Sequence, residues 1–278
     1  MTVTSAPAGT GRPAPLSRLV DTELLKLRTT RVWWGLLIAG VSLAFLNSGL
    51  LAGTAGLALG NGAAPSPTPR DPAMLRSIYT GGFTYGYVIA LCLGVLGMAG
   101  EYRHQTITPT LLAVPRRGRL VGAKLVAYML AGLGYGVVII LAGAALGAVI
   151  VAARGYPLGL GGSGVGRAVG LSMVGCSLWA VFGLGVGTLI RNQVAALFVA
   201  IGVAVLIAPL LALGLQAAHA GSVAQYLPNQ ASAALVQGAN GGFEQQLLPW
   251  WGGLLVLLGY GVLFAVLGVA LTTRRDVT

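Results

Sequence analysis

Residues 125–152 read LVAYMLAGLGYGVVIILAGAALGAVIVA, without one charged side chain. At 1.5 Å per residue, such a stretch makes a helix of about 42 Å, longer than the roughly 30 Å hydrocarbon layer of a bilayer. A helix keeps every backbone hydrogen bond internal, so it can carry so apolar a segment through lipid without stranding its N–H and C=O groups. The surplus length predicts tilt or a break. Working outward, blocks of the same character occupy residues 32–51, 81–100, 169–190, 194–215 and 250–271, and the first could extend to Leu59. The fold class is therefore all-α, a polytopic membrane protein with six transmembrane helices. Composition agrees, with 56% hydrophobic and 8% charged residues, against roughly a quarter charged in a soluble domain.

Charge placement gives orientation. Arg12, Arg18, Lys26, Arg28, Arg31, Arg103, Arg116, Arg117, Arg119, Lys124, Arg191, Arg274 and Arg275 fall on one side of the six spans, and only Arg70, Arg76, Arg154 and Arg167 on the other. The side richer in Lys and Arg is expected to be cytoplasmic. Both termini then lie in the cytoplasm, and the chain is a multi-pass protein of the cell membrane. The net charge of +11 reads as this topology bias rather than as a nucleic-acid surface, so the lipid bilayer is the expected partner and nucleic acid is not. Trp33 and Trp34 at the inner end of the first span, and Trp250 and Trp251 at the outer end of the sixth, suit interfacial anchors. Pro249 suits the first turn of the helix after it. Cys92 and Cys176 lie inside apolar blocks and read as packing residues, neither a disulfide nor a metal site. The first apolar block begins near Val32, after a basic helical segment, and exceeds signal-peptide length, so the N-terminus is expected to be retained.

Residues 1–15, rich in Pro, Ala, Thr and Gly, are expected to be disordered. Residues 16–278 then form a single transmembrane domain. Over residues 16–31 an apolar stripe of Leu16, Leu19, Val20, Leu24 and Leu27 opposes Arg18, Asp21, Lys26 and Arg28, which predicts an amphipathic helix at the membrane surface. Glu23 and Arg31 sit within the stripe, a sign that the helix rests against protein as well as lipid. Arg191-Asn192-Gln193 leaves room for a tight turn only. On the outer side, Pro65, Pro67, Pro69 and Pro72 predict an extended path over residues 61–80, and the long outer loop 216–249 is apolar enough to hold a short helix after Pro228.

No Asp, Glu, Lys, Arg or His falls in the middle of a span, which disfavours a proton- or cation-coupled engine within the chain. Asn47, Ser48, Ser172, Ser177 and Thr188 are read as interhelical hydrogen-bonding residues. Gly161-Gly162-Ser163-Gly164, with His219 downstream, matches the Gly-x-Ser-Gly pattern of rhomboid-like intramembrane serine proteases, but a flexible outer linker accounts for it better. GxxxG spacings at Gly82/Gly86, Gly132/Gly136, Gly143/Gly147 and Gly183/Gly187 predict close helix packing, within one chain or between two.

The connection 101–124 carries the most distinctive chemistry, EYRHQTITPTLLAVPRR over residues 101–117. Thr108 suits an N-cap, Pro109 a first helical position and Pro115 a stop, so a short helix held off the membrane is expected. Leu111, Leu112 and Val114 give it an apolar face, and Arg116, Arg117 and Arg119 a basic rim, suited to docking into a groove on a soluble partner.

This stretch, with Lys124 after it, resembles the coupling region of ABC-2-type exporter permeases, and Glu-Leu-Leu-Lys-Leu-Arg-Thr-Thr-Arg at residues 23–31 resembles the elbow helix that opens that family. Gln105 departs from the pattern, where similar permeases often carry Gly. The resemblance implies an N-terminal elbow helix, a short cytoplasmic coupling helix, and two permease subunits, identical or related, above two ABC ATPase subunits. It implies ATPase-coupling roles for Arg103, His104, Thr106, Thr108, Thr110, Leu111, Leu112, Arg116 and Arg117, and orienting roles for Glu101, Lys124 and Glu23. The chain holds no G-x-x-x-x-G-K-[ST] phosphate loop, so no enzyme activity and no cofactor are expected in it, with ATP and magnesium on the partner ATPase. The implied function is ATP-driven export of a hydrophobic or amphipathic compound, such as a drug, antibiotic, peptide or lipid-linked molecule. The rival from the binding class is a sensor or immunity protein that holds a toxic compound without moving it.

Overall fold

The computed structural model describes residues 15–58, 65–103, 117–161, 164–190, 192–236 and 247–274, all helix and connections with no strand among them. The disordered lead-in expected at the N-terminus, the capped helix expected after Thr108, and Ser163 and Arg191 lie outside the described residues. The helices are α1 (Leu16–Thr29), α2 (Val32–Thr54), α3 (Pro72–Tyr79), α4 (Phe83–Arg103), α5 (Arg117–Ala153) and α6 (Val165–Leu189). They are followed by α7 (Gln193–Ile201), a π-helical segment (Gly202–Ile207), α8 (Ala208–Ala217), α9 (Gly221–Ala224), α10 (Pro228–Val236) and α11 (Trp250–Arg274).

Five stretches are long and apolar enough to cross a membrane: Val32–Thr54, Pro72–Glu101, Gly118–Ala153, Val165–Leu189 and Gln193–Ala217. α11 is also helical over 25 residues, and its apolar part spans Trp250–Phe264. α4 and α6 form the buried centre, while α2 and the α7–α8 rod turn large apolar side chains such as Phe45, Leu46, Phe198 and Leu206 outward. Those exposed faces suit lipid as the solvent.

Glycine brings the central helices together. A Cβ on Gly94 of α4 would fall on the Ala180 carbonyl of α6, and one on Gly183 of α6 would fall on the Leu91 carbonyl of α4. At Gly187 it would lie 2.8 Å from the Val95 carbonyl, and at Gly136 2.9 Å from that of Met173. All four GxxxG pairs face neighbouring helices of the same chain, which resolves the choice between intrachain and interchain packing for these faces. A row of rings, Phe83, Tyr87, Trp179, Phe182 and Phe264, with successive centroids 5.8, 4.8, 5.3 and 4.5 Å apart, continues the core from α4 through α6 to α11.

Several expectations need correction. The proline-rich outer path does not stay extended and exposed to Thr80: Asp71 caps α3 by accepting from the Ala73 N–H at 2.8 Å, Pro72 occupies its first turn, and Met74, Leu75, Ile78 and Tyr79 are buried. A proline at the first helical position removes only a donor that has no intrahelical partner, so Pro72 starts a helix where it was expected to extend a loop. The third span begins at Arg117 rather than Leu125 and continues as one helix of 37 residues. Asn192 makes the tight turn before α7, accepting from the N–H groups of Val194 and Ala195. Pro249 stands just before α11, its carbonyl accepting from the Gly253 N–H.

The fifth span breaks register. In the π segment the Ala208 N–H donates to the Val203 carbonyl, five residues back. The next donor in that register would be residue 209, a proline, which has no N–H. The Ala204 carbonyl left over is instead reached by the Asn229 side chain of α10, whose Nδ2 donates to it at 2.6 Å. The other end of that amide, Oδ1, is buried and accepts no hydrogen bond from the described residues, at a cost of about 1–3 kcal/mol.

The five polar span residues divide. Asn47 donates to the Gly81 carbonyl and Ser177 of α6 to the Met129 carbonyl of α5. Ser172 and Thr188 bond back to Ala168 and Gly185 of their own helix, and the buried Ser48 hydroxyl has no partner among the described residues. The interhelical role expected of all five thus holds for Ser177, while Asn47 ties α2 to the turn between α3 and α4. A hydroxyl on a helix reaches a carbonyl one turn back with little effort, which competes with bonding across.

Candidate functional site

At one end of the bundle three elements converge: α1, the last turn of α4 and the second turn of α5. The sequence pattern of α1 put Glu23 within the apolar stripe. It lies there because the stripe packs onto α5, with Leu19, Val20, Leu24 and Leu27 joining Ala123, Ala127 and Tyr128 in one core cluster. A carboxylate buried in that position needs a cation, and Lys124 supplies it.

Lys124 Nζ lies 2.5 Å from Glu23 Oε2 and 2.9 Å from Glu101 Oε1. Lys26 Nζ lies 2.7 Å from Glu23 Oε1 and 3.1 Å from Glu101 Oε1. The four groups close a ring of alternating charge in which each ammonium touches both carboxylates. Three of its members are buried, with side chains 3%, 5% and 9% exposed for Glu23, Lys124 and Glu101. Lys26 is its open edge, at 41%. The ring is electrically neutral, which is what allows its members to leave water together. Lys124 also lies 5.7 Å from the centroid of the Tyr128 ring. Beside the ring, a cavity of about 370 Å³ reaches between α1, α2 and α4, with Trp33, Leu27, Gly97 and Gly100 in its wall.

Burial is the largest single influence on Glu23 and opposes its ionisation, but Lys124 and Lys26 together hold its carboxyl below the ordinary 4.5. Burial likewise opposes the charge on Lys26, and Glu23 and Glu101 together raise it above the ordinary 10.5. The signs define a window. The stability contributed by Glu23 is present above pH 4.5 and is lost as pH falls through its lower folded value. That contributed by Lys26 is present below pH 10.5 and is lost as pH rises through its higher folded value. The midpoint of thermal unfolding in detergent is therefore expected to stay flat between about pH 6 and 9 and to fall on acidification below about pH 4.5. A midpoint that rose with acid would contradict the ring.

Of the residues singled out in sequence, Glu23, Glu101 and Lys124 are brought into contact. Arg103 ends α4 and Arg117 begins α5, so the segment between them springs from helices that the ring fastens. His104, Thr106, Thr108, Thr110, Leu111, Leu112 and Arg116 lie outside the described residues. Lys26 was placed only on the polar side of its helix, although its i,i+3 spacing from Glu23 was a signal that the two could pair. His219 adopts φ 58° just past α8, where the following Ala220 N–H donates to the Leu215 carbonyl; it occupies a helix-terminating position.

The sequence model of a family described as ABC-2 family transporter protein matches residues 23–277. A comparison with curated proteins gives no match.

Proposed function

Because the chain belongs to the ABC-2 transporter family and is a multi-pass membrane permease, we propose that it is the membrane subunit of an ATP-driven exporter whose power enters through residues 104–116. The observation that carries this reading is the buried ring of Glu23, Lys26, Glu101 and Lys124. It fastens both roots of the 104–116 segment to the amphipathic helix, so a displacement of that segment reaches α1, α4 and α5 as one body.

In this reading α11 is the sixth span, both termini are cytoplasmic, and a second permease subunit completes the pathway. Closure of two ABC ATPase subunits on ATP moves the segment around Thr106 to Ala113, tilts the helices that it joins, and turns the pathway from inward- to outward-facing. Leu111 and Leu112 provide the apolar contact with the ATPase, Arg116 and Arg117 its basic rim, and Arg103, His104, Thr106, Thr108 and Thr110 the entry to that contact. Glu23, Glu101 and Lys124 orient it. The cargo is hydrophobic or amphipathic.

Leu111→Asp and Leu112→Asp place a charge on the docking face without touching the ring. Each is expected to reduce copurification of the ATPase by at least tenfold and to abolish ATP-dependent export in membrane vesicles, while the permease itself still folds. Intact copurification and export in both variants would sink the proposal.

A further inference from the structure

At the end of the bundle opposite the ring, the C-terminal half of α2, the first turns of α4 and α10 enclose a cavity of about 360 Å³. Its size lies near the lower end of the range for small-molecule pockets. Phe83 and Tyr87 give it aromatic walls; Asn47, Thr84 and Asn229 give it amide and hydroxyl groups; no charged side chain lines it among the described residues. Such a lining accepts an apolar body with a few hydrogen bonds and penalises an ion, which would lose its hydration without gaining a counter-charge.

One lining group has no assigned work. Asn229 Nδ2 is committed to the Ala204 carbonyl that Pro209 cannot serve. The leftover Oδ1 is an acceptor buried at the cavity wall that accepts no hydrogen bond from the described residues, although the Tyr87 hydroxyl lies against the same side chain. Buried polar atoms in native proteins nearly always have partners, and an orphan calls for an explanation.

We propose that this cavity binds an uncharged amphipathic molecule bearing a hydroxyl or amide N–H donor, with its apolar body against Phe83 and Tyr87 and its donor on Asn229 Oδ1. The oxygen is covered in the present conformation; because χ2 of asparagine has a broad well, a small rotation that keeps Nδ2 on the Ala204 carbonyl turns it toward the cavity. The proposal rests on the permease reading only in taking such a molecule as cargo.

The test is photolabelling of the full chain alone in phosphatidylcholine nanodiscs, without ATPase or nucleotide. Three probes share one ring system: 4-(hydroxymethyl)benzophenone, which is neutral with a donor; benzophenone, neutral without one; and 4-benzoylbenzoate, an anion. The alcohol is expected to label residues 83–87 and 229–233 saturably, benzophenone at least fivefold less and the anion at least tenfold less. Asn229→Leu removes the acceptor but also the support of Ala204. Thr84→Trp fills the cavity from an exposed position and leaves that support in place. Label is expected to fall at least tenfold in both. Label that rises linearly with concentration and gathers on the outward faces of α7 and α8, an anion that labels as well as the alcohol, or label retained in Thr84→Trp would overturn the site. Label retained in Asn229→Leu alone, or equal labelling by benzophenone, would overturn the pairing with Asn229. A failure here leaves the permease reading standing, and failure of the ATPase copurification test leaves any label untouched.

Discussion

Lys124→Met is expected to destabilise the folded chain by about 3–5 kcal/mol, the range for removing one partner of a buried ion pair. The substitution keeps the length and apolar stem of the side chain, so the loss reflects charge. Glu23 and Glu101, both under 10% exposed, would then share Lys26 alone, a cation 41% exposed. That remaining partner places the expected cost toward the lower end of the range. SDS-titrated unfolding followed by tryptophan fluorescence measures it. The triple variant with Glu23→Gln and Glu101→Gln should recover most of the loss, because no uncompensated charge stays buried. A single variant within about 1 kcal/mol of the parent would show that water solvates the ring and would refute the buried ion pair.

Gly183→Val is the second large effect. Its Cβ would fall on the Leu91 carbonyl and lie 2.9 Å from the carbonyl carbon and 3.1 Å from the Cα of the same residue. All three are backbone atoms of a helix and cannot turn aside as a side chain would. Inserting bulk into a packed core costs about 1–3 kcal/mol and occasionally more, and with backbone on both sides the upper end or beyond is expected. Gly94→Val attacks the same contact from α4 and should behave alike. Gly134→Ala serves as the control: its Cβ meets nothing within 4 Å, and alanine's better helix propensity predicts a change within about 1 kcal/mol. Expression of folded, monodisperse protein on size exclusion reports all three, and a Gly183→Val chain as well folded as Gly134→Ala would refute the contact.

Much of this architecture was open to reading because lipid is so selective a solvent. An uncharged run such as 125–152 has few ways to satisfy its backbone, so hydropathy alone marked the long helices. The glycine pairs announced close packing, yet spacing describes one face and not its neighbour, so Gly183 was foreseeable and its partner Leu91 was not. The same limit applied to the ring. Glu23 was conspicuous within an apolar stripe, and a resemblance grouped it with Glu101 and Lys124, but Lys26 looked like an ordinary solvated charge until α4 stood beside it. Local pattern misjudged Pro72, whose role depends on Asp71 capping the helix that it begins. It had no means of foreseeing the register change before Pro209, since the group that makes that change tolerable, Asn229, arrives 25 residues after the carbonyl it serves.

The ring also sets an order of events during synthesis. Glu23 and Lys26 are three residues apart and can pair as soon as α1 forms, whereas Lys124 lies 101 residues beyond Glu23. At roughly 5–20 residues per second, the ribosome delivers that second partner about 5–20 s later. For this interval Lys26, three residues away, is the counter-charge within reach of the Glu23 carboxylate, and the ring closes only once the helix carrying Lys124 has been made.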